Sequence, residues 1–272
     1  MKLNVLISTY NVNILSVPDI LLPERDGVSY IVSFQYTDSI YLRQIPEELN
    51  RPDVKVYPKE EIGLSRNRND ALSHADGDIA LIADDDVRYK PEYFDTIIKT
   101  FNDNPDVDVA LFKMKTIGNE PEAKRYPEES SVYHPQKGYY ASSVEMAFRV
   151  NSVKGKISFD ERFGLGADKL NCGEEEIFLK DCRDTGLTIK YFPYYIVEHH
   201  YETTGKKVFA YTENLVSKGA VSSYLHGWSA YLRMLVFSLK GKLRGKEQFW
   251  HLIKNTFAGI NYERRTRKGK RR

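Results

Sequence analysis

Three consecutive carboxylates, Asp84, Asp85 and Asp86, directly follow a short apolar run at residues 79–83. That run predicts a strand buried on both faces. Three adjacent like charges resist desolvation and are stable mainly beside a cation, and oxygen ligands of this kind favour Mg²⁺ or Mn²⁺. An Asp triplet also occurs as a solvated turn that caps a helix. Here its place at the carboxyl end of a buried strand, where open α/β sheets bind ligands, favours a binding site.

A second acidic cluster, Glu174, Glu175 and Glu176, lies where the pattern predicts that a helix begins, with Gly186 ending it. Acidic side chains in a first helical turn complement the helix dipole, which accounts for one or two of them. Three carboxylates in a row also provide a candidate proton acceptor that is distant in sequence from the Asp triplet.

The elements that must position these clusters follow from hydrophobic periodicity. Residues 63–78 predict a helix with Ser65 as its N-cap, between two strands, which makes a βαβ unit and a parallel sheet. Pro91 predicts the start of another helix. Residues 117–140 predict a long irregular segment of the kind that often carries function. The predicted strands are 3–8, 30–34, 54–57, 79–83, 107–114 and 188–192.

Composition predicts a globular protein, since 41% of the 272 residues are hydrophobic and 29% are charged. The net charge of +2 is unevenly spread, because residues 240–272 carry twelve Lys or Arg against two Glu. From about Val208 the pattern is helical, with a second segment at 249–257. Two interpretations stay open for this region: helices packed on the body and followed by a solvated tail, or a basic amphipathic segment on an anionic membrane.

No signal peptide and no membrane-spanning stretch is visible, so we expect a cytoplasmic protein, free or peripheral on the inner face of the membrane. The two cysteines, Cys172 and Cys182, form no C-x-x-C pattern and predict neither zinc nor a disulfide framework.

Five motifs in order resemble the family-2 glycosyltransferases with the GT-A fold, and they lie within about the first 205 residues. They are VLISTYN at 5–11, G-x-S-x-x-R-N at 63–69, the D-x-D element at 84–86, FDERFG with GEEEIFL within 159–179, and P-x-x-x-V-x-H at 193–199. The resemblance implies a mixed, mostly parallel α/β sheet flanked by helices, with a helical C-terminal extension. It also implies inverting transfer of a sugar from a nucleotide-diphosphate sugar, with a UDP-sugar as the expected donor, to a hydroxyl of a saccharide or lipid-linked acceptor.

On the donor side, the resemblance assigns the nucleotide-sugar to Thr9, Tyr10, Asn11, Gln35, Arg68, Asn69, Asp84 and Asp85. Asp86 matches the direct ligand of a Mn²⁺ or Mg²⁺ cofactor, with Asp84 and His199 as further metal residues. Glu175 matches the catalytic base, and Glu174 matches the acid that faces the acceptor.

Two positions depart from the family pattern. Gln35 lies where the family has an acid that grips the base, which leaves the nucleotide open. The base position has Glu in place of Asp, and Glu176 follows directly, so the base is one of three neighbouring carboxylates.

The implied organisation is a catalytic domain at 1–205, divided into a donor half (1–115) and an acceptor half (116–205), then helices at 206–260 and a basic tail at 261–272. We expect a role in surface polysaccharide or glycolipid assembly and an anionic membrane as a partner of the basic C-terminus.

Nucleic acid is not an expected partner, because the body is acidic and no nucleic-acid-binding motif is present. A sugar nucleotidyltransferase normally has a Gly-rich loop after the first strand, which residues 8–12 lack. An inactive glycosyltransferase-like scaffold is the other alternative, and the intact Asp86 and Glu175 count against it.

Overall fold

The computed structural model describes residues 1–118, 122, 124–133, 140–200 and 211–270, with side chains described through residue 267. The chain divides into two compact units. The first comprises residues 1–62, 66–159 and 181–202, and the second comprises residues 63–65, 160–180 and 203–272.

The first unit is built on an eight-stranded sheet with the order β3-β2-β1-β4-β7-β5-β8-β6. Neighbouring pairs are parallel from β3 to β4 and between β5 and β8, whereas β7 is antiparallel to β4 and β5, and β6 to β8. The predicted mixed, mostly parallel sheet is therefore confirmed. The strands are β1 (Leu3–Tyr10), β2 (Val28–Tyr36), β3 (Val54–Glu60), β4 (Ile79–Asp84), β5 (Val109–Thr116), β6 (Ser131–Val132), β7 (Met146–Arg149) and β8 (Ile189–His199).

The central strands β1 and β4 are buried on both faces of this sheet. Seven of the eight residues of β1 and five of the six of β4 are buried, as the continuous apolar runs predict. Helix α2 (Pro91–Asp103) begins at Pro91 as predicted, and its side chains Phe94, Ile97 and Phe101 lie in the core. Other helices between the strands include the 3-10 helix Asn11–Ile20, α1 (Leu64–His74) and the short α3 (Val150–Val153).

The second unit contains the start of α4 (Glu174–Asp184) and three C-terminal helices, α5 (Thr212–His226), α6 (Ala230–Leu243) and α7 (Phe249–Lys270). Helices α5 and α7 approach closely because both carry glycine at the contact. A Cβ on Gly219 would lie 1.9 Å from the carbonyl oxygen of Thr256, and one on Gly259 would lie 1.9 Å from that of Val216. Among the described residues, no helix is both long enough and apolar enough to cross a bilayer.

Several predicted boundaries differ from the structure. Ser65 lies inside the first turn of α1 and is not its N-cap; its hydroxyl donates to the carbonyl oxygen of Phe163 at 2.7 Å. The predicted boundary between residues 260 and 261 falls within a helix, because α7 continues to Lys270. Residues 160–180 group with the C-terminal helices and not with the sheet.

The predicted helix start near Val208 and the boundary at residue 205 lie outside the described residues, and part of the irregular segment 117–140 does too. The first described C-terminal helix, α5, begins at Thr212.

Candidate active site

The predicted donor-side residues converge because β1, β2 and β4 are adjacent and parallel. Tyr10 pairs with Gln35 across β1 and β2, and Ser8 pairs with Asp84 across β1 and β4. Their carboxyl ends therefore meet at one edge of the sheet, where doubly wound folds bind ligands.

The loop after β1 is fastened to both neighbouring segments. Asn11 has a positive φ of 50°, which Asn tolerates better than most residues. Its side-chain Oδ1 accepts from the backbone N–H of Thr37 at 2.9 Å, and its Nδ2 donates to the Thr37 hydroxyl at 3.1 Å. The buried Asn67 donates from Nδ2 to the carbonyl oxygen of Thr9 at 2.9 Å. The loop is thus held in one conformation, while the side chain of Tyr10 is exposed.

Gln35, which lies where the family has an acid, is itself buried beside an acid. This second residue was not singled out from the sequence. The Nε2 of Gln35 lies 3.5 Å from Oε2 of Glu61, just after β3. Lys59 Nζ lies 3.0 Å from the same Glu61 oxygen. The end of β2 therefore has a carboxylate beside it, contributed by the neighbouring strand end.

Arg68 is a buried cation that braces the end of β4. Its Nη2 donates to Asp84 Oδ1 at 3.0 Å and to the Ser143 hydroxyl at 2.8 Å. A charge-assisted pair with so little exposure on the Arg side is stronger than a surface pair. Asp84 is therefore fixed through an interaction that uses one of its carboxylate oxygens.

Asn69 supports a different segment. Its Nδ2 donates to the carbonyl oxygen of Phe159 at 2.9 Å, and its Oδ1 accepts from the backbone N–H of Phe159 at 2.8 Å. The side-chain amide is thus paired with the backbone at the start of the FDERFG motif and fixes that segment against α1.

Asp86 lies against His199, although 113 positions separate them in the chain. Asp86 Oδ1 is 3.3 Å from His199 Nε2, and His199 Nδ1 is 2.7 Å from the carbonyl oxygen of His200. An antiparallel bridge between Arg88 and Glu198, with both backbone hydrogen bonds at 2.9 Å, clamps the loop after β4 to the end of β8. This bridge is what places Asp86 beside His199.

The electrostatics of the Asp triplet differ from residue to residue. Burial raises the pKa of Asp85 to about 6, the charges of Asp84 and Asp86 add to the rise, and the side chains of Thr9 and Asn13 oppose it. The hydrogen bond from His199 lowers the pKa of Asp86. Burial acts to lower the pKa of His199, but its hydrogen bond and charge interaction with Asp86 outweigh burial, so the net shift is upward.

The donor set at this edge fits a divalent cation that takes its remaining ligands from a substrate. Among the described residues, no group of three or more His, Cys, Asp or Glu side chains forms a ready metal cage. Asp86 and His199 nevertheless offer one carboxylate and one imidazole in contact. Mg²⁺ and Mn²⁺ sites in phosphate-binding enzymes commonly use one or two protein ligands plus phosphate oxygens.

The second acidic cluster belongs to the second unit and begins α4. Glu174 is buried, and the Gly164 backbone covers its carboxyl group. A Cβ added at Gly164 would lie 3.3 Å from Cδ of Glu174. Glu175 and Glu176 are both half-buried. Glu176 Oε1 is 3.8 Å from Lys218 Nζ. Of the two candidates that the resemblance named, Glu175 is the more accessible.

Four contacting residues at the sheet edge were missed by sequence reasoning. Asn13, which lies 3.5 Å from Asp85, and Thr37 are ordinary polar loop residues in the sequence. Ser143 lies beyond the irregular segment, and Glu61 has only its position after a predicted strand as a signal. The functional roles of all the residues named above stay predictions.

The comparisons with known proteins agree with this architecture. Residues 37–159 match the family model described as glycosyl transferase family 2. No curated protein sequence matches the chain significantly.

Crystal structures of TarS from S. aureus share the fold. The structure of TarS residues 1–349 is 19% identical with a TM-score of 0.59, and the alignment covers 96% of this chain and 81% of that one. The same TarS region in complex with UDP-GlcNAc is 18% identical with a TM-score of 0.60, and the coverage is 96% and 82%. A longer TarS structure is 16% identical with a TM-score of 0.59, and the alignment covers 96% of this chain but 55% of that one. Together, the family match over residues 37–159 and the GT-A fold shared with TarS support a family-2 glycosyltransferase.

Proposed function

We propose that this glycosyltransferase moves a sugar from a nucleotide-diphosphate sugar, with UDP as the nucleotide, to an acceptor hydroxyl with inversion at the anomeric carbon. The observation that carries the proposal is the meeting of the β1 loop, Gln35 and the Asp triplet at one sheet edge, with Asp86 against His199. The TarS complexes with UDP and UDP-GlcNAc support UDP as the nucleotide carried by a related fold.

In this proposal the donor nucleotide lies along the ends of β1 and β2. Thr9, Tyr10 and Asn11 border it on one side, and Gln35 approaches the base with its amide orientation set by Glu61. Arg68 acts indirectly, because its guanidinium holds Asp84 in place for the ribose.

Asp86 and His199 are the residues that would hold Mn²⁺ or Mg²⁺, with Asp84 nearby but already paired to Arg68. A divalent cation bound there would offset the negative charge that develops on the departing diphosphate. Asp85 is the least suited of the three to carry a fixed negative charge, because burial raises its pKa.

Glu175 is the proposed general base. It accepts the proton of the acceptor hydroxyl as that oxygen forms a bond to the anomeric carbon and the bond from this carbon to the diphosphate breaks. The nucleotide diphosphate leaves with its electron pair and needs no proton, so the chain requires one base and no general acid. General-base catalysis of this kind typically contributes about 10²–10⁴-fold to the rate.

The acceptor is proposed to be a saccharide or a lipid-linked saccharide, in surface polysaccharide or glycolipid assembly on the cytoplasmic side of a membrane. The uneven charge of the chain supports this placement, since cations are concentrated after residue 239.

Calorimetric titration with UDP-, GDP-, CMP- and dTDP-sugars, with and without Mn²⁺, tests the donor side. We expect one nucleotide class, UDP, to bind tightly and only with metal. Tight binding without metal would remove the role of Asp86 and His199 as metal ligands, and absence of binding to every donor would indicate a scaffold without a working donor site.

A further inference from the structure

Helix α6 has two apolar faces, of which only one is buried in the second unit. Ala230, Met234 and Gly241 are buried, and Ala230 and Met234 pack with Ile260 of α7. The opposite face forms an outer stripe of large aliphatic side chains spaced three or four residues apart, as on one side of a helix. This outer stripe consists of Leu232, Leu235, Val236, Leu239 and Leu243, with exposures of 64%, 43%, 43%, 50% and 76%.

Cations flank the outer stripe on both sides. Between residues 214 and 246 the sequence has six Lys or Arg and no Asp or Glu. On α6 itself, Arg233 and Lys240 lie along one border of the stripe and Lys242 along the other, all exposed. Long basic side chains beside an apolar stripe can bury their methylenes and keep their charges at the polar boundary.

The two tryptophans of the chain flank α6 in the sequence. Trp228 directly precedes it and Trp250 lies at the start of α7, and each is 75% exposed. Trp250 and Phe249 line a cleft of about 540 Å³ together with Lys242, Lys246 and Glu247. Exposed indole rings at the margins of an apolar, basic surface are typical of elements that lie at the lipid headgroup level.

Two cations of α7, by contrast, are engaged inside the second unit. The Arg264 guanidinium lies 3.2 Å from the centroid of the Trp228 ring. Arg267 Nε donates to the buried Glu263 at 2.5 Å, and its guanidinium lies 4.3 Å from the Tyr224 ring centroid. Among the described residues, the exposed apolar stripe with its flanking cations lies on α6, within the helical region for which the sequence left a membrane interpretation open.

We propose that the outer stripe of α6, with its flanking cations and the two tryptophans, docks this glycosyltransferase onto an anionic lipid surface. Apolar area and basic charge together favour this occupant, because an interfacial helix gains from both burial and attraction to acidic headgroups. Self-association through the same stripe would bring two sets of α6 cations together. This docking is independent of the donor chemistry proposed above.

Vesicle binding of the full chain tests the proposal. We expect flotation with phosphatidylcholine vesicles that contain phosphatidylglycerol, weaker binding at high salt, and little binding to phosphatidylcholine alone. The two tryptophans act as an internal reporter, since their fluorescence should shift to the blue on binding. Unshifted fluorescence together with no flotation would overturn the proposal.

Two variants separate the contributions of apolar area and charge. The double variant Leu232→Ser with Leu239→Ser should lower vesicle partition by at least about tenfold. Lys240→Gln with Lys242→Gln should lower it by about fivefold for each cation removed, only on anionic vesicles. Val132→Ser is the matched control, because Val132 is 54% exposed on the edge strand β6 and should leave partition unchanged.

Light scattering and donor titration on the same samples distinguish other outcomes. A wild-type oligomer that the leucine double variant converts to monomer, without vesicle binding, would show that the stripe contacts a second copy and would overturn the lipid assignment. Unaltered UDP-sugar binding in both variants would confirm that the donor site is intact while docking is tested.

Discussion

The two acidic clusters of this chain are built in different ways. At the sheet edge, each Asp has a polar side-chain neighbour from elsewhere in the first unit: Arg68 for Asp84, Asn13 for Asp85 and His199 for Asp86. At the start of α4 the carboxylates lie on successive positions of a helix N-terminus, which favours negative charge.

The difference separates two tasks. Carboxylates held by specific partners keep a fixed geometry, which suits the binding of a charged ligand. The first turn of α4 instead combines a buried Glu174 with a more accessible Glu175, which suits proton transfer at one position and support at the other. Substitutions that affect one cluster and spare the other test this division.

The largest effect is expected from Asp86→Ala, which should leave no measurable metal-dependent turnover. The substitution removes the carboxylate proposed to hold the metal, and loss of a comparable electrostatic stabiliser costs on the order of 10²–10³-fold or more. Initial rates with and without Mn²⁺ measure it. Asp95→Ala is the control, because Asp95 is 60% exposed against 54% for Asp86 and pairs with Arg25 at the surface. Wild-type turnover in Asp86→Ala would remove the proposed metal role.

Glu175→Gln should stop transfer while leaving donor affinity nearly intact. The amide cannot accept the acceptor proton, so kcat should fall by about 10²–10⁴-fold. Transfer rates and donor calorimetry on the same sample measure both properties. Glu176→Gln is the neighbouring control, and if that variant is inactive while Glu175→Gln is active, the base lies one position further along. Loss of donor binding in Glu175→Gln would mean that the residue is structural.

Gly173→Ala should destabilise the start of α4 without weakening donor binding at the sheet edge. Gly173 has φ of +98°, and a Cβ there would lie 2.2 Å from Cγ2 of Val221. Strain and overpacking together cost about 2–4 kcal/mol. Thermal unfolding measures the loss. Gly118→Ala separates the two causes, because Gly118 has a similar φ of +78° but nothing within 4 Å of the added Cβ. Equal destabilisation by both variants would contradict the proposed clash.

The sequence was sufficient to predict much of the first unit, for a physical reason. Continuous apolar runs such as residues 79–83 are a local signal, and a βαβ unit constrains its strands to be parallel, so the convergence of Thr9, Gln35 and Asp84 follows from topology. Strands β6 and β7 were not predicted because both are short and antiparallel. Strand β6 lies within the irregular segment 117–140, and β7 follows that segment.

The contacts that fix the site could not be predicted in the same way. Ser143 reaches Arg68 across 75 positions, and the Arg88–Glu198 bridge that places Asp86 is formed by backbone atoms. Neither leaves a pattern in the local sequence. The grouping of residues 160–180 with the C-terminal helices likewise depends on packing of Phe163, Leu170 and Ile177 against α5.

The smallest effect, and the finest test of the sheet edge as a recognition surface, is expected from Gln35→Leu. The side chain keeps similar volume but loses the amide, so UDP-sugar affinity should fall by about tenfold, which corresponds to one hydrogen bond of about 1.4 kcal/mol. If Gln35 faces the base, the fall in affinity should be larger for the preferred nucleotide than for the others. The reason is that the amide forms hydrogen bonds only with a base edge whose donors and acceptors match its own. Glu61→Gln changes the partner of Gln35 while keeping its shape, so it should give a smaller fall and should couple to Gln35→Leu in a double-mutant cycle. A lowered Tm with unchanged affinity for every nucleotide would place Gln35 in the core of β2 alone and would leave recognition of the base to the loop after β1.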